Sequence, residues 1–301
     1  MHKNNNSNEP LITVAMPIFN AGKYLLPAVT SIINQSYLNW ELVIVDDGST
    51  DNSLKSIYNI KDPRIKIISD GQNLGLCKRL NQIIDISKGK YFARMDQDDI
   101  SYPNRFAAQI DILKNNSTID LVGVKTITFS TDNDPVGYLK YFENHEEITS
   151  RPWHNIYLPH PTWMGKTSWF RHHKYYSPAP FLCEDQELLL RAFSSSKYYS
   201  VNKILFAYRL KNRKNLKSLV KLARNRYSLF LILGSFFIKK FQPINFVLAF
   251  LSLFLGVVKD FSLGLSDYFN FRGPEYGKSE RYISDNDIIE FSKVLKMSQH
   301  N

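Results

Sequence analysis

Three stretches of the sequence gather carboxylates more densely than an ordinary turn requires. Asp96-Gln97-Asp98-Asp99 puts three acids within four residues. Crowded carboxylates repel one another unless a cation offsets them. Hard oxygen donors at that spacing suit Mg²⁺ or Mn²⁺, which keep one or two protein carboxylates and fill the remaining positions with water and phosphate oxygens. A solvated acidic turn capping a helix that starts at Pro103 is the alternative. The loop is no EF-hand, because its sixth position is Ser101 where glycine is required. Asp46-Asp47 offers a carboxylate to an N–H donor such as the imide of uracil, or caps a following helix together with Asp51. Glu184-Asp185 opens a segment in which Leu188, Leu189, Ala192 and Phe193 recur at helical spacing. The residues alone explain that pair as acids favoured by a helix dipole.

Other chemistries lack their residues. Gly165-Lys166-Thr167 resembles the end of a phosphate-binding loop, but the first glycine of that motif would fall on His160. No GxGxxG follows any strand, so a dinucleotide site of the dehydrogenase kind lacks its phosphate turn. His172-His173 reads as a solvated loop, and His154 has no assigned role. Cys77 and Cys183 read as small buried hydrophobes.

Alternating strands and helices position the acidic clusters. Ile12–Met16 is a strand ended by Pro17, and Leu25, Ala28, Val29, Ile32 and Ile33 follow at helical spacing. Further strands are expected at Glu41–Val45, Ile65–Ser69, Tyr91–Met95 and Leu121–Phe129. Helices are marked by Leu76, Leu80, Ile83 and Ile84, stopped by Gly89, and by Phe106, Ile110 and Leu113. This alternation implies a mostly parallel, Rossmann-like sheet with right-handed crossovers, whose ligands lie beyond the carboxyl ends of the strands. The clusters at 46–47 and 96–99 both stand at such ends.

The chain has 301 residues, 44% hydrophobic and 22% charged, enough for a large core and incompatible with general disorder. With two cysteines and no apolar run in the first ten residues, a reducing, cytoplasmic setting is the expectation. The net charge of +10 is unevenly placed. Residues 1–200 hold 21 basic and 21 acidic side chains, whereas 201–301 hold 17 and 7. Lys203 to Lys259 contains twelve basic residues and no acidic one. Within that region Leu216, Leu219, Val220, Ala223 and Tyr227 form an amphipathic stripe, followed by apolar runs at Leu229–Ile238 and Ile244–Val258. Each run is shorter than the roughly 20 residues that cross a bilayer, so a shallow hairpin or interfacial helices on an anionic membrane are expected, with one tilted span within 241–258 or buried core helices as the alternatives. Residues 271–301 read as a polar tail.

Six motifs, in order, resemble those of family 2 glycosyltransferases of the GT-A fold. They are Val14-Ala15-Met16-Pro17-Ile18-Phe19-Asn20, Val43 through Asp51, Asn73-Leu74-Gly75-Leu76 through Asn81, Ala93 through Asp99, His160-Pro161-Thr162-Trp163-Met164, and Glu184-Asp185-Gln186-Glu187-Leu188 with Arg191. The resemblance covers about residues 10–210. It implies a GT-A domain there, after a flexible tail at 1–9 and before membrane-associating helices at 211–270. It further implies that Pro17 and Phe19 line the nucleotide pocket, that Asp47 reads the base, and that Asn73, Gly75 and Leu76 form the wall behind the nucleotide. Arg94 would approach the diphosphate, Asp96 the ribose or sugar, and Asp98 the metal. Asp185 would be the catalytic base, with Glu184 and His160 as acceptor contacts. Many relatives carry a His after the Tyr-Arg that is Tyr208-Arg209 here, where this chain has Leu210-Lys211.

The function so implied is inverting, metal-dependent transfer of a hexose or N-acetylhexosamine from a UDP-sugar to a lipid-linked or growing glycan, at the cytoplasmic face of a membrane. A catalytically inactive sugar-nucleotide-binding or scaffold subunit is the alternative. A nucleic-acid binder is more remote, because the aromatics of the basic region sit in apolar runs such as Phe236-Phe237 and are not interleaved with Lys and Arg.

Overall fold

The computed structural model describes residues 9–176, 183–210, 216–268 and 283–299. The strands are β1 (Ile12–Ile18), β2 (Trp40–Asp46), β3 (Ile65–Ser69), β4 (Tyr91–Arg94), β5 (Ile100–Ser101), β6 (Leu121–Phe129), β7 (Pro135–Tyr138), β8 (Met164–Lys166) and β9 (Tyr198–Arg209). The helices are α1 (Leu25–Ile33), α2 (Leu76–Ile86), α3 (Arg105–Asn115), α4 (His145–Ile148), α5 (Thr167–His173), α6 (Glu184–Ala192), α7 (Leu216–Lys239), α8 (Pro243–Tyr268) and α9 (Asp285–Gln299).

Among the described residues the strands join in one sheet, ordered β3-β2-β1-β4-β8-β6-β9-β5, with β7 beside β6. The half built from β1 to β4 is parallel, as the alternation of strand and helix requires. Beyond it β8 runs antiparallel to both β4 and β6, and β9 runs parallel to β6, so the sheet as a whole is mixed. Gly165 permits the insertion of β8: a Cβ there would stand 2.4 Å from the Asp120 carbonyl oxygen.

Side chains alternate between the two faces with the strand period of two. Ile12, Val14, Met16, Leu42, Ile44 and Ala93 face one core with α1, α3 and α9. Ala15, Val43, Val45 and Phe92 face a second core with α2, α5 and α6, to which Leu233, Phe237 and Ala249 of α7 and α8 also belong.

Several expectations change in detail. Pro17 does not end β1, which continues to Ile18 in register with Asp46. The Ala15 carbonyl accepts from Met95 N on the β4 side, so Pro17, two residues on, faces the same side past the end of β4, where no ladder donor is needed. Asp51 does not cap a helix: it accepts from Ser53 N at 3.0 Å ahead of a 3₁₀ turn over Ser53–Ile57 whose N-cap is Asn52. His172 and His173 end α5 and do not form a loop. The polar tail contains α9, which buries Phe291 and Val294 beside α1 and receives a hydrogen bond from the Tyr138 hydroxyl at Asp287 (2.6 Å). α7 and α8 form an antiparallel hairpin turned at Lys240-Phe241-Gln242. No described helix is long and apolar enough to cross a membrane.

Candidate active site

The C-terminal ends of β1, β2 and β4 converge on one edge of the sheet, the edge at which ligands bind in open α/β sheets. Asp47 follows β2 and is almost fully buried. Its Oδ1 accepts from Leu74 N (2.7 Å), Gly75 N (3.1 Å) and Arg79 Nε (2.9 Å), and its Oδ2 from Gly75 N (3.0 Å). Asn73 Nδ2 donates to the Asp47 carbonyl at 3.1 Å. The motif at 73–76 is thereby folded onto Asp47, and Gly75 takes a φ of +88° that favours glycine. Leu74 and Leu76 remain partly exposed, as does Phe19, and these apolar groups lie around the edge. Asp46 is engaged differently, accepting from Ser49 N at 3.0 Å and Ser69 Oγ at 2.9 Å.

Arg79 was not singled out from the sequence, yet it organises this wall. Besides Asp47 it binds Asp70 through both terminal nitrogens, at 2.8 and 2.6 Å, and so links β3's exit to α2. The available signal was a lone arginine beside Leu80, on the otherwise apolar stripe of α2.

After β4 the chain turns through the acidic cluster. Gln97 clamps it to β1's exit: Phe19 N donates to Oε1 at 2.7 Å and Nε2 donates to the Phe19 carbonyl at 3.0 Å. Asp96 and Asp98 are part-exposed, while Asp99 is buried and accepts from Arg209 N at 2.8 Å. Burial, with Asp98 and Asp96 nearby, pushes the Asp99 carboxyl well above the carboxylate range. Arg209 Nε also donates to the Asp98 carbonyl at 2.8 Å, so the cation that ends β9, just before Leu210, braces the acidic turn.

Arg94 is 1% exposed and pairs with Asp96 Oδ1 at 2.6 Å. Burial opposes its charge, but Asp96, Tyr175, Glu184 and Asp99 outweigh burial and hold the guanidinium above its ordinary value. Among the described residues its Nε and Nη1 have no hydrogen-bond partner. Each unmet buried donor costs about 1–3 kcal/mol, so the guanidinium is poised for an acceptor that the described residues do not supply. The backbone beneath it is fixed by the buried Arg105, whose Nη2 donates to the Arg94 carbonyl (2.7 Å) and the Pro161 carbonyl (3.2 Å). Burial lowers Arg105 to about 9.

The third group is His160, Tyr175, Glu184 and Asp185. His160 Nε2 lies 2.7 Å from the Tyr175 hydroxyl and Nδ1 lies 3.9 Å from Glu184 Oε1. Burial, reinforced by Arg94, drives His160 far below the usual imidazole range and keeps it neutral. Burial and then Asp185 raise Glu184 to about 7, and burial raises Asp185. Cys77, at the start of α2, is pushed up to about 12 by burial and Glu184, which excludes a ready thiolate nucleophile.

Thus Arg94, Asp96, His160, Glu184 and Asp185 share one electrostatic environment, with the Asp98 turn and Phe19 tied beside it. Among the described residues no group of three His, Cys, Asp or Glu side chains stands ready to hold a metal. Tyr175, Arg79 and Arg105 were not found from the sequence.

The sequence matches the family described as Glycosyl transferase family 2 over residues 13–174. A relative called uncharacterized glycosyltransferase MJ1057, from Methanocaldococcus jannaschii, is 30% identical over 223 residues, 71% of this chain and 76% of that protein. An Escherichia coli relative, UDP-Glc:alpha-D-GlcNAc-diphosphoundecaprenol beta-1,3-glucosyltransferase WfgD, is 34% identical over 107 residues, 35% of this chain and 42% of that protein. Several other curated relatives are likewise matched over less than half their length. Among solved structures, S. aureus TarS 1-349 in complex with UDP superposes with a TM-score of 0.57 at 15% identity, covering 90% of this chain and 94% of that one. The observed architecture is therefore the GT-A fold that the motifs implied. Because the sequence match runs from β1 through α5, over the same elements that hold Asp47, Arg94, Asp98 and His160, the chain belongs to glycosyl transferase family 2.

Proposed function

We propose that the chain transfers a hexose or N-acetylhexosamine from a UDP-sugar to a lipid-linked or growing glycan, with inversion at the anomeric carbon, at the cytoplasmic face of a membrane. The observation that carries this reading is the buried Arg94, with two unmet donors, in the same environment as a carboxylate pair of raised pKa. A diphosphate supplies the acceptors that Arg94 lacks, and a raised-pKa carboxylate suits proton removal near neutral pH. The UDP bound by TarS and the UDP-Glc named for WfgD support a UDP-sugar, and the lipid diphosphate in the latter name supports the acceptor class.

In this reading Asp47 and the 73–76 wall hold the base side, with Pro17 and Phe19 lining the pocket. Arg94 binds the diphosphate and Asp96 faces the ribose or sugar. Asp185 takes the proton of the acceptor hydroxyl as it attacks, while neutral His160 and Glu184 orient the acceptor. One displacement with one base leaves no covalent intermediate. Asp98, with Asp96 close by, offers the one or two carboxylates that Mg²⁺ or Mn²⁺ accepts when water and phosphate oxygens complete its shell. Such an ion would neutralise charge developing on the leaving diphosphate.

The hairpin supports membrane attachment. Ile244, Val247, Leu251, Phe254 and Val258 recur along α8 as an exposed apolar stripe, and Phe241 at the turn is 92% exposed beside Lys239 and Lys240. An apolar face edged by cations lies in the interface plane of anionic lipid.

Purified protein should hydrolyse or transfer from a UDP-sugar only when Mg²⁺ or Mn²⁺ is added, and Asp98→Ala should abolish that activity without loss of the folded state. Activity in chelator, or full activity of Asp98→Ala at saturating metal, would refute the metal assignment.

A further inference from the structure

Asn81 and Arg191 take no part in the reaction steps above, yet both close on the same three residues of main chain. α5 ends at His173, and Lys174 then takes a φ of +42°, a left-handed value that strains any residue with a Cβ. Side chains from two helices hold it there. From α6, Arg191 donates Nη1 to the His173 carbonyl at 2.7 Å and Nη2 to the Lys174 carbonyl at 2.8 Å, while its Nε donates to Glu187 at 2.8 Å. From α2, Asn81 pairs with Tyr175 as a neighbouring strand would. Its Nδ2 donates to the Tyr175 carbonyl at 2.8 Å, and its Oδ1 accepts from Tyr175 N at 2.9 Å. Strain of this kind persists only where the surroundings over-determine it. Because α2 starts at the wall around Asp47 and α6 starts at Glu184, the bend at Lys174 ties the two sides of the site together.

The bend delivers the buried Tyr175 ring to His160. The ring centres are 5.5 Å apart, and the hydroxyl lies 2.7 Å from Nε2. A buried phenol hydroxyl must donate its hydrogen or strand it. Among the described residues His160 Nε2 is the one acceptor within reach, and burial holds Tyr175 well above the ordinary phenol range, so the hydrogen stays on. Nε2 therefore presents its lone pair. The imidazole is neutral, so its single hydrogen sits on Nδ1. Nδ1 stands 3.9 Å from Glu184 Oε1, beyond hydrogen-bond reach. An oxygen about 2.8 Å from each atom fits at the apex of that gap, accepting from Nδ1 and donating to Glu184. A hydroxyl can do both. A carboxylate has no hydrogen to give, and an ammonium cannot accept from an N–H.

We propose that Tyr175, anchored by Asn81, is a positioning residue that fixes His160 as its Nδ1–H tautomer, and that the gap between His160 and Glu184 reads a hydroxyl of the acceptor other than the one that attacks. The inference rests on the transferase reading above and narrows its acceptor. Asp185 removes the proton of one hydroxyl, so the hydroxyl held in the gap is a second one. The accepting end is then a polyol such as a sugar ring, and not a lone phosphate, amine or carboxylate. Without the Tyr175 hydroxyl, Nε2 loses its donor and the ring hydrogen is free to move there. A lone pair would replace the N–H, and two acceptors would face each other across the gap.

Nitrogen NMR of the full chain, carrying isotope-labelled histidine in non-ionic detergent, reads the tautomer directly once the His160 signals are identified by their loss in His160→Gln. A protonated Nδ1 and an unprotonated Nε2 are expected. The reverse, or an even mixture, overturns the proposal before any other variant is made. Tyr175→Phe, which keeps the ring, should abolish the preference. Asn81→Ala should weaken it, and the two changes together should do no more than Tyr175→Phe alone, with UDP binding unchanged throughout as the check on folding. A preference that survives Tyr175→Phe overturns the positioning role. Methyl glycosides of glucose, galactose and N-acetylglucosamine, titrated with UDP present, probe the gap. At least one should shift the Nδ1 signal saturably and bind Tyr175→Phe about tenfold more weakly, the scale of one hydrogen bond. Tetrahydropyran, the same ring without hydroxyls, should leave the signal in place. No shift with any glycoside, or an equal shift with tetrahydropyran, overturns the hydroxyl assignment. UDP-sugar hydrolysis on the same samples separates the two readings: hydrolysis with the opposite tautomer removes only this inference, and the expected tautomer without hydrolysis of any UDP-sugar removes only the transferase.

Discussion

Glu184 and Asp185 sit side by side at the buried start of α6, where two full negative charges are costly, and the pair therefore titrates as a unit. Asp185, Asp96 and Arg94 act on Glu184, and neutral His160 and protonated Tyr175 complete its surroundings. A base must be ionised to act, so burial, which raises Asp185, should place the rising limb of the kcat/KM pH profile above the ordinary carboxylate range. Stability runs the other way. Because folding raises these pKa values, their contribution is complete below the ordinary carboxylate range and is lost as pH climbs through about 7. Glu184→Gln should move the activity limb toward acid; a limb that stays put belongs to another group. Asp185→Asn should lower kcat by about 10²–10⁴ with little change in UDP affinity, measured by turnover and by equilibrium binding. Equal loss of UDP binding would move Asp185 into the donor site.

At the scale of elements, the parallel half was legible because its strands are apolar runs that end in turn residues, and α1 and α2 are long enough to show a helical period. The acidic turns at 46–47 and 96–99 were legible for the same reason, since each adjoins such a strand. What was missed is short or paired at a distance. β8 is three residues, Met164-Gly165-Lys166, too few for a period, and its place rests on Gly165 passing close to Asp120. β9 loses its alternation where the register with β6 shifts around Lys125. Tyr175 acquires its partner His160 only through tertiary folding. Arg105 illustrates the same limit, since a buried arginine in a helix gives no sign that it supports two carbonyls far apart in sequence. Arg105→Met should lower the melting temperature, because it strands the Arg94 and Pro161 carbonyls and Gln109 Oε1, each costing about 1–3 kcal/mol. An unchanged melting temperature would show that water replaces the guanidinium.

For the whole molecule, α9 changes how membrane attachment must be tested. Truncation after β9 would remove the hairpin together with the helix that covers α1. Replacing residues 211–282 by a flexible Gly/Ser linker keeps α9. That variant should partition to the soluble fraction, while the intact chain pellets with anionic vesicles and is only partly released by high salt. Each basic side chain near the surface contributes up to about 1 kcal/mol, which salt screens, whereas the apolar stripe is not screened. Full release of the intact chain by salt alone would restrict the contact to charge.

The position of α9 after the hairpin in the chain sets an order of events during synthesis. The seat for Phe291 and Val294 on α1 stays open until α9 is complete at Gln299, 31 residues after α8 ends at Tyr268. At ribosomal rates of about 5–20 residues per second, that leaves an interval of roughly 1.5–6 s. Throughout it, the apolar stripe of the hairpin and the uncovered face of α1 coexist on one nascent chain. A bilayer that takes up the first while α9 is still being made removes one of two sticky surfaces from solution. Synthesis without membranes should therefore yield more aggregate than synthesis with anionic vesicles present from the start, and vesicles added only after release should not recover the difference.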